Sequence, residues 1–265
     1  MIDLGFKIID LHTHLRENIA LHSDLAKRAG ISALVYMPNT DDCLDSRAKI
    51  LKSLEAKRLL PSFPVSALTI GRKGEKLVEI EKIADLVVGF SDDGDCLNNL
   101  SLLTQALETG VLVMAHLEPE VQMTEKYLKI LERVGGRLHI QHVSKKETVS
   151  LIRRARQDGL RVTAETCPQY FTFSDRFDDI KVNPPLGDQR DILEIKKGLK
   201  EGVIDCIVSD YAPKPRPRDT GLASFDAFLK LSYGLVLDGT LTLNELEDKL
   251  SNNPRKIVCE SGLRI

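Results

Sequence analysis

The 265 residues carry 37 lysines and arginines against 39 aspartates and glutamates, a net charge of −2, and 29% of the chain is charged. Mixed signs without a basic stripe argue against nucleic acid and anionic membrane as partners. The N-terminus shows no basic leader, and nowhere do about 18 apolar residues run together, so a cytoplasmic location and a small-molecule ligand are expected. Five scattered cysteines, Cys43, Cys96, Cys167, Cys206 and Cys259, form no C-x-x-C pair and read as reduced thiols.

Short β-branched runs alternate with amphipathic segments along the chain, the pattern of strands that feed crossover helices into a parallel sheet. The predicted strands are 7–11, 31–37, 63–69, 85–90, 111–115, 137–141, 161–165 and 205–209. Their near-continuous apolar character suits burial on both faces. Predicted helices fill the gaps at 18–29, 45–58, 74–84, 98–109, 120–134, 145–157, 188–201, 224–237 and 242–250. Length, strand number and the lack of a linker or repeat predict an α/β fold, one (β/α)8 barrel over residues 1–265, since such barrels run to roughly 250 residues. A doubly wound open sheet is the alternative, but it would not need this many strands.

A barrel of this kind projects its chemistry from the C-terminal ends of the strands. The residues that follow the predicted strands are His12 and His14, then Asn39, Asp92 and Asp93, His116, His142 and Asp210. The period-two spacing of His12 and His14 turns both imidazoles to one side. Nitrogen and carboxylate donors in this number suit zinc or a similar divalent ion, and they suffice for two ions. His139, inside a strand, reads as a packed or hydrogen-bonded residue, and His22, in a polar stretch, as an exposed one.

The blocks IIDLHTHLRE (8–17), MPNT (37–40), GFSDDG (89–94), AHLEPE (115–120), LHIQHVS (138–144), VTAETCPQYF (162–171), KVNPPLG (181–187) and DCIVSDYAPK (205–214) occur in that order across nearly the whole chain. Together they resemble the dihydroorotase branch of the amidohydrolase superfamily. The resemblance implies a metal-dependent hydrolase barrel without the flanking β-sandwich of many relatives. It implies that His12 and His14 hold one metal, His116 and His142 the other, and that a carboxylate bridges them. Many relatives bridge with a carboxylated lysine. The fourth-strand block here has none, and Asp93 is the bridging candidate, with Asp92 as its neighbour. Asp210 would bind the first metal and act as general acid and base while hydroxide formed at the metals attacks the ring amide.

The implied reaction is the reversible hydrolysis of (S)-dihydroorotate to N-carbamoyl-L-aspartate in de novo pyrimidine synthesis. Arg16 would bind the substrate carboxylate in bidentate fashion with Asn39 beside it, and Asn183 would contact the ring. The family's usual D-x-A-P-H ends here on Lys214, a point charge of different reach. Tyr211, Gln169 and Gly187 also depart from the common pattern, and the stretch from His116 to His142 is short. C-P-Q-Y at 167–170 is more typical of hydantoinase-like members, so a hydantoinase- or allantoinase-like enzyme is the second reading. A non-catalytic barrel paired with an aspartate transcarbamoylase is the third, and retention of every candidate ligand argues against it. A homodimer is the default oligomer.

Overall fold

The computed structural model describes residues 4–16, 18–177, 179–213, 221–222 and 225–265. The apolar runs form seven parallel strands: β1 (Ile9–Thr13), β2 (Ala33–Tyr36), β3 (Ser62–Pro64), β4 (Leu112–Ala115), β5 (Arg137–Ile140), β6 (Val162–Thr166) and β7 (Cys206–Ile207). Strands β1 to β3 make one hydrogen-bonded sheet in sequence order and β4 to β7 another. Residues 88–91 fill the gap between them. Val88 N donates to Pro64 O (3.0 Å), Ser66 N to Gly89 O (3.0 Å), Phe90 N to Leu112 O (2.9 Å) and Met114 N to Phe90 O (2.8 Å). Across the other seam Thr13 bridges Tyr211 in parallel, and Asp10 Oδ1 accepts from Ser209 N at 3.0 Å. The eight staves thus close into a barrel.

The fourth stave differs from its sequence expectation of 85–90. Residues Ala84–Leu86 coil into a 3-10 turn, and pairing begins at Val88. Glycine is required within this stave, because a Cβ on Gly89 would lie 2.8 Å from the Leu112 carbonyl oxygen. The helix expected over 74–84 shrinks to a single turn at Ile80–Ile83. Residues 70–78 instead fold back on their own strand end, with Ile70 N on Lys76 O (2.9 Å) and Val78 N on Leu68 O (3.1 Å). Positive φ at Gly71 and Gly74 makes the reversal.

The outer layer consists of α1 (Ile19–Ala29), α2 (Arg47–Glu55), α3 (Ile80–Ile83), α4 (Leu100–Glu108), α5 (Glu120–Val134), α6 (Lys146–Gln157), α7 (Pro168–Thr172), α8 (Gln189–Lys200), α9 (Phe225–Leu237), α10 (Leu243–Glu247) and α11 (Asn253–Cys259). A π turn, Asp248–Asn252, joins the last two, so the expected helix at 242–250 continues further than its pattern suggested. Helical spacing of Met123, Tyr127, Ile130 and Leu131 gives α5 its buried face. Helix starts are fixed by side chains: Asn18 caps α1, Asn99 caps α4, and Asp188 and Thr242 form capping boxes on α8 and α10. The short α7, unexpected from sequence, starts with Pro168 in its first turn. No described helix is long and apolar enough to cross a membrane.

Candidate metal centre

Inside the barrel the upper layer is polar. Asp10, His12, Ser91, His139, Gln141 and Glu165 are all at most 2% exposed, and groups buried this deeply must satisfy one another. His12 Nδ1 lies 2.5 Å from Glu165 Oε1, Glu165 Oε2 is 3.0 Å from His139 Nε2, and Ser91 Oγ donates to Gln141 Oε1 at 2.9 Å. Two acceptors cannot face each other at 2.5 Å, so His12 Nδ1 carries its proton and Nε2 is turned toward the barrel mouth.

There the remaining ligand candidates meet. His12 Nε2 and His14 Nε2 are 3.3 Å apart, and His14 Nε2 is 3.2 Å from Asp210 Oδ1. Asp93 stands between two histidine pairs. Its Oδ2 lies 3.6 Å from His12 Nε2 and 3.3 Å from His14 Nε2. Its Oδ1 is 3.5 Å from both His116 Nδ1 and His142 Nε2. These last two nitrogens are 2.9 Å apart.

Donors about 2.0–2.1 Å from one tetrahedral ion stand roughly 3.4 Å from each other. The separations around His12, His14 and Asp210 match that edge length, and those around Asp93, His116 and His142 come near it. Both triads can hold an ion. Asp93 Oδ1 is also buried without a hydrogen-bond partner among the described residues, a cost that a cation at Asp93 would remove. The residues therefore fit a metal centre of two positions sharing one carboxylate.

The local electrostatics favour cations. Burial pushes Asp93 upward, but the facing His12, His116 and His14 hold its carboxyl well below the usual range. Burial likewise opposes charge on His12, yet Asp93 and Glu165 raise it well above an ordinary histidine. Protons stand in for metal in such a site, so metal uptake releases them. Strain concentrates here too. Among the described non-glycine residues, positive φ occurs at Arg16, Arg72, His142 and Asp210. Three of these line the mouth, and Arg72 Nη1 donates to the Asp93 carbonyl at 2.5 Å.

A cavity of about 120 Å³ opens over the ligands, lined by Arg16, Asn39, Asn183 and Ala212 among others. Arg16 Nε donates to Pro213 O at 3.1 Å, which leaves its terminal amines without an acceptor among the described residues. Asn39 Oδ1 accepts from His14 Nδ1 at 2.7 Å, so it orients a ligand as well as lining the mouth. Asn183 Nδ2 donates to Glu118 Oε2 at 3.2 Å. Lys214 lies outside the described residues. Asp92 is turned away from the histidines, its carboxylate accepting from Leu68 N, Thr69 N and Thr69 Oγ1.

No protein-family model matches the chain. A dihydroorotase of Geobacter sp. (strain M21) is 33% identical over 306 residues, covering 95% of this chain and 72% of the relative. This chain belongs to the dihydroorotase family. A second dihydroorotase, from Desulforapulum autotrophicum, is also 33% identical with the same coverage. The alignments run longer than the 265 residues here, so dihydroorotase relatives carry internal residues that this chain lacks. Among solved structures, L-hydantoinase (dihydropyrimidinase) from Arthrobacter aurescens superposes with a TM-score of 0.82 at 19% identity, covering 97% of this chain and 73% of the other. The inactive dihydroorotase-like domain of the Chaetomium thermophilum CAD-like multifunctional protein gives 0.71 at 17% identity, covering 95% and 78%. Both share the barrel fold of this chain.

Two of the departures from the family pattern, Tyr211 and Gly187, have local explanations. Tyr211 stacks on Phe225 with centroids 3.8 Å apart, and its hydroxyl lies 2.9 Å from His22 Nδ1. His22, expected exposed, is therefore half-buried beneath the mouth. Gly187 fits tightly against α8, where a Cβ would fall 2.6 Å from the Cβ of Asp191. Sequence reading missed Glu165 and Glu118. Glu165 had a signal: an acid in a strand expected to be buried on both faces demands a buried partner. Glu118, on an exposed turn, had none.

Proposed function

We propose that the protein is a dihydroorotase that interconverts (S)-dihydroorotate and N-carbamoyl-L-aspartate in pyrimidine synthesis, with Zn²⁺ at both positions. The observation that carries this is Asp93, whose two oxygens divide between two buried histidine pairs at the base of a cavity that Arg16 also lines. The dihydroorotase name borne by relatives at 33% identity supports the substrate. His12, His14 and Asp210 are assigned to one ion, His116 and His142 to the other, and Asp93 to both.

Bound divalent ions acidify water and polarise an amide carbonyl. The protein's own part begins with Asp210. Its Oδ1 lies 3.2 Å from His14 Nε2 and its side chain lines the cavity, so it can take a proton from the attacking water. It then delivers that proton to the departing ring nitrogen, and in the reverse direction the same carboxylate runs both transfers backward. Arg16 offers its terminal amines to the substrate carboxylate, Asn39 holds His14, and Asn183, steadied by Glu118, faces the ring. Lys214 is proposed as a second cation. We place the enzyme in the cytoplasm, as a homodimer with an association to aspartate transcarbamoylase as a further arrangement to examine.

The test is turnover of dihydroorotate and of N-carbamoyl-aspartate by purified protein, with bound metal quantified on the same sample. Metal-dependent interconversion is expected. Metal-loaded protein that leaves both compounds unchanged but opens hydantoins or dihydropyrimidines would replace this reading with the hydantoinase-like one that C-P-Q-Y favours. Loaded protein inert to all of them would mean a non-catalytic barrel.

A further inference from the structure

The two metal positions are braced very unequally from behind. In the first, both imidazoles have their far nitrogens held: His12 Nδ1 by Glu165 at 2.5 Å and His14 Nδ1 by Asn39 at 2.7 Å. In the second, His142 Nδ1 is buried with no partner among the described residues. His116 Nε2 has only a 3.5 Å contact to Asn183 and a 3.8 Å approach to Glu118, a side chain 63% exposed.

The brace behind His12 extends further. Glu165 and His139 are both fully buried, Glu165 Oε2 sits 3.0 Å from His139 Nε2, and His139 Nδ1 is 2.8 Å from Thr163 Oγ1. The chain His12, Glu165, His139, Thr163 crosses from β1 to β6 and β5 and returns to β6, four residues on three staves. A carboxylate with both oxygens committed cannot rotate. It fixes the ring plane and the tautomer of His12, and its charge strengthens the Nε2 lone pair as a donor.

We propose that Glu165, braced by His139, is a positioning residue that presents His12 to the metal and makes the His12–His14–Asp210 position the tighter of the two. This rests on the two-metal reading above. It adds that affinity is graded between the positions by residues that touch no metal and no substrate.

The experiment measures Zn²⁺ affinity by competition with a chromophoric chelator, without substrate, in two backgrounds. His142→Asn leaves the first position to be titrated alone, and His14→Asn leaves the second. Introducing Glu165→Gln is expected to weaken Zn²⁺ binding about 10–100-fold in the His142→Asn background and to leave the His14→Asn background unchanged. His139→Gln should act in the same direction by a smaller factor, and it serves in place of Glu165→Gln if that variant does not fold. Unchanged affinity at the first position, or equal losses at both, overturns the proposal. Failure of the unsubstituted protein to bind Zn²⁺ would instead overturn the metal reading itself.

Discussion

The regular staves and the irregular ones contribute different chemistry. Strands β4 and β5 pair in a continuous ladder, and β1 pairs β2 with one register shift between Asp10 and Thr13; together they carry or precede His12, His14, His116 and His142. The two carboxylates of the centre come from staves with little ladder: Asp93 follows a stave joined by single bridges, and Asp210 follows the two-residue β7. Where main-chain pairing lapses, side chains take over. Asp10 clasps Ser209, Asp92 clasps Leu68 and Thr69, Ser91 holds Gln141 and Arg72 holds the Asp93 carbonyl. Histidines are thus set by the sheet, and the carboxylates by clasps around its gaps.

That contrast can be broken experimentally. Asp210→Asn should leave the fold intact and lower turnover by about 10²–10⁴-fold; full activity in the variant would remove Asp210 from the proton path. Phe90, 1% exposed, anchors the fourth stave. Phe90→Ala should cost about 3–5 kcal/mol in a denaturant melt, and a loss under about 1 kcal/mol would mean the stave is held by its clasps alone.

The seam clasp has a pH signature. Burial raises Asp10 from an ordinary 3.8 to about 7. A folded-state value above the unfolded one gives stability that is complete below the unfolded value and lost as pH rises through the folded one. Relative to Asp10→Asn, the wild type should lose up to roughly 4 kcal/mol between acid and neutral pH. Parallel pH dependence in the two proteins would contradict this.

Asp92→Ala strands the donors of Leu68 and Thr69, for about 1–3 kcal/mol. It should also loosen Asp93 and weaken Zn²⁺ at the second position, readable by the chelator titration. Arg16→Met should raise KM for dihydroorotate about 10-fold or more with a smaller change in kcat; an unchanged KM would remove Arg16 from carboxylate binding.

The barrel was legible because buried parallel strands read as apolar runs, and the histidines because H-x-H at a strand end has a geometric meaning. The choice between Asp92 and Asp93 was not, since adjacent carboxylates before a glycine differ only in how the turn directs them. The shifted fourth stave and the reversal at 70–78 depend on close approach at Gly89 and on positive φ, neither of which is a matter of hydrophobic period. Glu165 meets His12 across 153 positions of sequence, a pairing that no local pattern contains.

The tight fit at Gly187 bears on which substitutions the turn before α8 can accept. Here Asp191 occupies the space a side chain would need, and it is itself held by Lys146 N and Asp188 N. A side chain placed at 187 alone would collide with that helix start, whereas vacating Asp191 first forfeits the cap with nothing yet gained. The two positions are therefore coupled: each change is unfavourable alone, and a larger residue at 187 is accommodated only when 191 changes with it.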